Sequence, residues 1–120
     1  MMGVIEFPRV VWEFVAAINA RDLPWLESLF CERCEVSASG YQVTGLAAVA
    51  GWLETEILEP CIAFAIDDVR SIDGTTTLHV RAADHGSVND CWLEFHTAGR
   101  YIESLTITTE PQLACLRRAG

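Results

Sequence analysis

The sequence predicts an α+β domain in which three N-terminal helices pack on one face of a curved antiparallel sheet. In the first half of the chain, apolar residues recur at the 3.6-residue spacing of amphipathic helices. In the second half, they alternate with polar residues at the two-residue spacing of strands. Helices followed by a meander of strands are typical of this class. The length of 120 residues fits one domain, residues 1–120.

The first two helices are predicted on either side of a tight corner. Helix one spans residues 10–20, where apolar residues form a single stripe, and helix two spans residues 23–31. Asp22 is a good N-cap, because its carboxylate can accept from the free amides of the second helix. Pro24 fits the first turn of that helix, where a missing N–H costs nothing.

A short pair of strands and a third helix are expected next. Residues 31–35 are predicted to form a polar turn, and residues 36–39 a strand that pairs with residues 41–43. Thr44 is expected to cap the third helix, residues 45–57, whose apolar residues share one face.

Four strands complete the predicted sheet. The first alternates around Phe64, and Asp73-Gly74 is a strong hairpin signal after it. On the following strands, alternation turns Leu78, Val80, Leu93 and Phe95 toward the helices. The later predicted strands are residues 75–84, 90–96 and 100–109, with a loop at 85–89 and a turn at Ala98-Gly99.

The charge of the chain limits its partners. The net charge is −9, and the eight Lys and Arg residues are scattered. Nucleic acids and anionic membranes need clustered basic residues, so neither is expected as a partner. The N-terminus lacks the basic and then apolar pattern of an export signal, and no apolar run approaches a membrane span. These features predict a cytoplasmic protein.

The cysteines are expected to be free thiols. Five cysteines are an odd number, and a cytoplasmic chain keeps its thiols reduced. Cys31 and Cys34 have C-x-x-C spacing, but a zinc site would need a second pair of ligands that the sequence lacks. A redox role would need a strand before the motif, whereas a helix is predicted there. No metal and no cofactor are therefore predicted.

The opening of the chain resembles the nuclear transport factor 2-like superfamily, which includes SnoaL-like cyclases and ketosteroid isomerases. The likeness extends over roughly residues 10–110 and implies a cone with an internal pocket between helices and sheet. Folds of this kind host many chemistries, so function must be argued from the site. The residues that carry the resemblance are Asn19, Asp22, Leu23, Leu29, Phe30 and Glu32.

The resemblance also implies where catalytic groups would lie. The isomerase positions hold Phe14, Ala38 and Cys91, which cannot supply its two carboxyl groups and phenol, so that activity is not expected. The Arg-x-Asp pair of related epoxide hydrolases is not matched, because Arg81 and Asp84 lie three apart and point to opposite strand faces.

Asp84 and His85 remain the candidate general base, since imidazole transfers protons near neutrality. A loop histidine beside a turn-forming aspartate is the plainer interpretation of the same two residues. The leading hypothesis is a domain that binds a small apolar or amphipathic molecule. The alternatives are a lyase, isomerase or hydrolase, and a non-catalytic dimerisation module. The predicted pocket residues are Phe14, Ile18, Trp52, Phe64, Val80, Cys91, Leu93, Phe95, Ser104 and Thr106.

A homodimer through the outer face of the sheet is also predicted. The family pattern turns Ser104 and Thr106 of the last strand toward the pocket, which leaves Leu105 and Ile107 outside. Together with Trp92 these would form an exposed apolar patch, and such patches usually have a partner. A one-residue slip of the last strand would remove the patch.

Overall fold

Three helices lie on one face of a six-stranded curved sheet in the computed structural model, which describes residues 8–38, 40–84 and 86–109. The predicted fold class is confirmed. The helices are α1 (Arg9–Ala20), α2 (Leu23–Leu29) and α3 (Leu46–Leu53), and a π-helical turn (Glu54–Leu58) follows α3. The strands are β1 (Phe30–Ala38), β2 (Tyr41–Thr44), β3 (Ala63–Ile72), β4 (Thr75–Asp84), β5 (Ser87–Ala98) and β6 (Tyr101–Thr109).

The strands are arranged in the order β2-β1-β6-β5-β4-β3. The last four strands form the predicted antiparallel meander, and β1 joins it by pairing in parallel with β6. Val36 of β1 pairs with Val43 of β2, as expected for the short strand pair. No helix in the described ranges is long and apolar enough to cross a membrane.

Two segments predicted as turns are strand. Phe30 already has an extended backbone, so α2 ends at Leu29 and β1 includes the polar stretch up to Glu35. Phe30 pairs with Ile102 and Glu35 with Ser104, so five residues of β1 lie opposite only two of β6. The stretch bulges from the ladder, and its side chains therefore do not show the regular alternation of a strand. The loop expected at 85–89 is shorter as well, because Asp84 already pairs with Ser87.

The third helix differs from its prediction at both ends. Gly45, with a φ of 96°, occupies the N-cap position, and no side chain caps the helix there, so Thr44 does not play that role. The α-helical part ends at Leu53, and the π-helical turn takes the chain on to Leu58.

The strand alternation of β4 and β5 is confirmed. Leu78, Val80, Leu93 and Phe95 are completely buried against the helices. Their immediate neighbours Thr77, His79, Trp92 and Glu94 therefore lie on the opposite side of the sheet, which we call the outer face.

The predicted register of β6 is wrong. Leu105 is completely buried opposite Phe95, and Ile107, paired with Leu93, is packed against the core. The cause is a bulge at Glu103: Thr97 pairs with Ile102, but the preceding His96 pairs with Ser104. One extra residue in a strand reverses the facing of every later side chain. Ser104 and Thr106 therefore lie on the outer face, opposite His96 and Glu94.

Asn19 fastens the end of α1 to the free edge of the sheet. Its side-chain amide donates to the Phe64 carbonyl at 2.9 Å, and its carbonyl accepts from the Phe64 N–H at 2.9 Å. β3 is an edge strand, so these backbone groups have no ladder partner on that side. Arg21 adds a second link by donating to the Ile18 and Ile62 carbonyls, and Asp22 caps α2 by accepting from the Trp25 N–H, as predicted.

We expect Asn19→Ala to lower the free energy of unfolding by about 1–2 kcal/mol, because two partly buried backbone groups lose their partner. Urea denaturation followed by circular dichroism measures this. Asn89→Ala is the matched control, since Asn89 is exposed and forms no side-chain hydrogen bond with another described residue. Equal losses in the two variants would contradict a special role for Asn19.

Candidate functional site

Most of the residues predicted to line an internal pocket are buried in the hydrophobic core. The Phe14 ring lies at the centre, with its centroid 5.3 Å from that of Phe95 and 6.1 Å from that of Phe30, both edge to face. Around it Ile18, Val80 and Leu93 are completely buried. The structure thus brings most of the predicted lining together as close-packed core. Phe64 and Cys91 belong to the same core, and Trp52 packs half-buried at its margin.

Ser104 and Thr106 do not join this group, because the bulge at Glu103 places them on the outer face. The isomerase positions Phe14, Ala38 and Cys91 are all buried. Burial raises the pKa of the Cys91 thiol, and the charge of Asp90 adds to the effect. A thiol with a raised pKa is a poorer nucleophile at neutral pH.

Asp84 lies on the inner side of β4 by alternation with Val80 and Ala82. The residue is half-buried, and its Oδ1 atom is withdrawn from solvent at the strand end. His85 lies outside the described residues. The general-base role of Asp84 or His85 therefore stays a prediction.

The C-x-x-C pair lies in the bulged part of β1. Cys34 is buried and Cys31 half-buried, and both are free thiols, as are Cys61 and Cys91. Burial raises the pKa of Cys34, and the neighbouring Cys31 adds to the rise. Cys115 lies outside the described residues. Within the described ranges, no three His, Cys, Asp or Glu side chains are grouped so that they could hold a metal ion.

A cluster of polar and aromatic side chains occupies the outer face. His79 Nε2 lies 2.8 Å from Asp90 Oδ1, and His79 Nδ1 lies 3.2 Å from Asp67 Oδ2. The imidazole is stacked on the Trp92 indole, with the ring centroids 4.7 Å apart and the planes at 7°. We call Asp67, His79, Asp90 and Trp92 the His79 cluster.

The register of the sheet builds this cluster. Trp92 is directly opposite His79 on β5, and Asp90 is opposite Arg81, one diagonal step away. Asp67 comes from the other side because β3 has a bulge: Ile66 pairs with Val80, and Asp68 pairs with His79. Asp67 is the extra residue between them, and the bulge turns its carboxylate toward the imidazole.

Alternation with Leu78 and Val80 places His79 on the outer face, but it does not reveal the cluster. Regular alternation would place Asp67 and Asp68 on opposite faces. The adjacent acidic pair in an otherwise alternating strand is the one signal that the sequence offers, because a bulge lets both carboxylates face solvent.

His79 and Trp92 of this cluster line a cavity of about 610 Å³, which we call the outer groove. This size is in the usual range for small-molecule sites. The groove lies over β3, β4 and β5 and combines an indole, threonine hydroxyls and charged groups. Its lining residues are Asp68, Arg70, Ile72, Thr75, Thr77, His79, Trp92 and Glu94.

The chemistry of the cluster favours binding over proton transfer. Both ring nitrogens of His79 face carboxylates, and only the protonated imidazole can donate to both at once. A general base needs a nitrogen free to reach a substrate. His79 instead holds Trp92 in a fixed plane at the floor of the groove.

Comparisons with known proteins identify the fold. No family model matches the sequence, and no curated protein matches it. A putative polyketide cyclase from Sinorhizobium meliloti superposes with a TM-score of 0.80 at 16% identity, covering 85% of this chain and 95% of that one. An NTF2-like protein of unknown function from Cytophaga hutchinsonii gives 0.75 at 15% identity, covering 95% and 99%.

A third solved structure is a hypothetical protein from Catenulispora acidiphila with a ketosteroid isomerase-like fold, in complex with trimethylamine. Its TM-score is 0.72 at 18% identity, and 86% of each chain is covered. Identities this low establish the fold and not the activity. The chain has the nuclear transport factor 2-like fold, as its resemblance to that superfamily implied.

We expect Phe14→Ala to destabilise the protein by about 3–5 kcal/mol, because it removes a ring from a filled interior and leaves a cavity. Urea denaturation measures the change, with Tyr101→Ala as the control, since Tyr101 is 46% exposed. A loss near that of the control would show that the interior was already open and able to hold a ligand.

Proposed function

We propose that this protein binds a small amphipathic molecule in the outer groove and does not use the interior of the fold. The observation that carries the proposal is the stacked pair of His79 and Trp92, fixed by two carboxylates at the floor of a cavity of ligand size. Rigid aromatic surfaces bind well because little freedom is lost on association. The filled core around Phe14 supports the choice of the outer groove.

The structural neighbours support the class of ligand by analogy. One is described as a putative polyketide cyclase, and another was solved with trimethylamine. Both descriptions concern small molecules. The groove of this chain offers an apolar ring beside hydroxyl and carboxylate groups, which suits a molecule with an apolar and a polar part.

A fragment screen by protein-observed nuclear magnetic resonance tests this function. We expect hits to shift the amide signals of Thr77, His79 and Glu94, and Trp92→Ala to abolish those shifts. Tyr41→Ala is the control, because Tyr41 is an aromatic residue 68% exposed on β2, away from the groove. Hits whose shifts map to Phe14 and Ile18 would refute the proposal, as would a screen without hits.

A homodimer through the outer face is the second candidate function. Leu105 and Ile107 no longer belong to that face, so the apolar patch expected there is reduced to Trp92. A specific feature still favours self-association: the outer residues of the central strand β6 are Ser104, Thr106 and Thr108, an uncharged strip in an acidic chain. Twofold contacts are the commonest form of homo-oligomer.

Sedimentation equilibrium of wild type and Thr106→Arg measures the oligomeric state. We expect a dimer that dissociates in the variant, because an arginine in the centre of a twofold contact meets its own copy. Thr106 is half-exposed on the outer face, so the longer side chain can extend into solvent and the monomer should stay folded. A monomeric wild type at micromolar concentration, or a variant that stays dimeric, would count against the dimer.

A further inference from the structure

We propose that the ligand of the outer groove is a small organic cation, with its tertiary or quaternary ammonium group over the Trp92 indole. This inference rests on the proposed function, since it names the chemical class that the groove takes. Three features of the described residues carry it: the orientation of Trp92, the charge around it, and an acidic side chain left without a partner.

Trp92 provides the surface that such a cation needs. The face of an indole carries partial negative charge and attracts ammonium groups, and tryptophan does so best of the aromatic side chains. Trp92 is half-buried and lines the groove. His79 stacks on one face of the indole and fixes the plane of the ring, so the cation takes the opposite face. The histidine is itself held between Asp67 and Asp90, so the platform is in place before any ligand arrives.

The charges around Trp92 select for a positive ligand. The groove and the His79 cluster together hold four carboxylates and, even with His79 protonated, two cations; these are Asp67, Asp68, Asp90 and Glu94 against Arg70 and His79. A surface of net negative charge raises the local concentration of cations and repels anions. The net charge of the whole chain, −9, adds to this negative potential.

The distribution of these charges leaves Glu94 for the ligand. Asp68 lies 3.4 Å from Arg70 Nε, and the two aspartates of the cluster face His79. Glu94 forms no hydrogen bond or ion pair with another described residue. It lies two positions from Trp92 on the same face of β5, opposite Thr77. A cation over the indole therefore meets this carboxylate.

Isothermal titration calorimetry with choline and with 3,3-dimethylbutan-1-ol tests the inference. The alcohol has the shape of choline with carbon in place of nitrogen, so the pair differs in charge alone. We expect choline to bind at least about threefold more tightly than the alcohol, which is within the range of a partly exposed cation–π contact. Rising salt should weaken the binding of choline and leave that of the alcohol unchanged.

Three variants locate the site. Trp92→Ala and Glu94→Gln should each weaken choline binding by about three- to tenfold. Glu103→Gln should not, because this exposed glutamate of the same sheet lies outside the groove. Equal binding of choline and the alcohol, with both lost in Trp92→Ala, would overturn the cation and leave the groove as a ligand site. An absence of choline binding would also refute the inference that the ligand is a cation. If the fragment screen gave no hits either, the proposed function would fail with it.

Discussion

Two bulged residues, Asp67 in β3 and Glu103 in β6, decide which side chains face the helices and which face the outer groove. A strand side chain has only two directions, so one extra residue reverses all those that follow. At Glu103 the reversal directs Leu105 into the core and leaves uncharged residues outside. At Asp67 it directs a carboxylate to His79 and completes the His79 cluster. The core and the candidate site thus depend on the same two irregularities.

The inner face is devoted to packing. Phe14 is completely buried between helices and sheet, and it contacts aromatic rings from β1 and β5. Asn19 then secures the far end of the same helix to the edge strand through the backbone of Phe64. Helix α1 is thus held at its centre by aromatic contacts and at its end by two hydrogen bonds. It packs on the inner face of the sheet. The outer face carries the outer groove.

Regular parts of the fold could be predicted from the sequence because each depends on local rules. The burial of Leu78 and Leu93 follows from alternation, the N-cap at Asp22 from its hydrogen-bonding capacity, and the hairpin from Asp73-Gly74. The central residues of β4, β5 and β6 could be assigned to strands for the same reason. Even the risk at β6 could be stated in advance, since a slip of one residue was the known weakness of its register.

The candidate site could not be predicted because it depends on departures from those rules. The acidic pair Asp67-Asp68 is compatible with a bulge but does not fix one, and Glu103 has no such neighbour. Each bulge forms only when the neighbouring strand is paired. The polar stretch from Cys31 to Cys34 has the local pattern of a turn, although it belongs to β1 and bulges from the ladder with β6. The approach of His79 to Asp67 and Asp90 is a consequence of three strands in register, which no single segment reveals.

Binding in the outer groove is tested most directly by ¹⁹F nuclear magnetic resonance of protein labelled with 5-fluorotryptophan and titrated with choline. Its four tryptophans include Trp92 at the outer groove and Trp52 at the margin of the core, so the two faces report separately. We predict that the Trp92 signal, assigned through Trp92→Phe, shifts to saturation while the Trp52 signal does not move. A shift of Trp52 with Trp92 unchanged would place the ligand inside the fold and contradict the account.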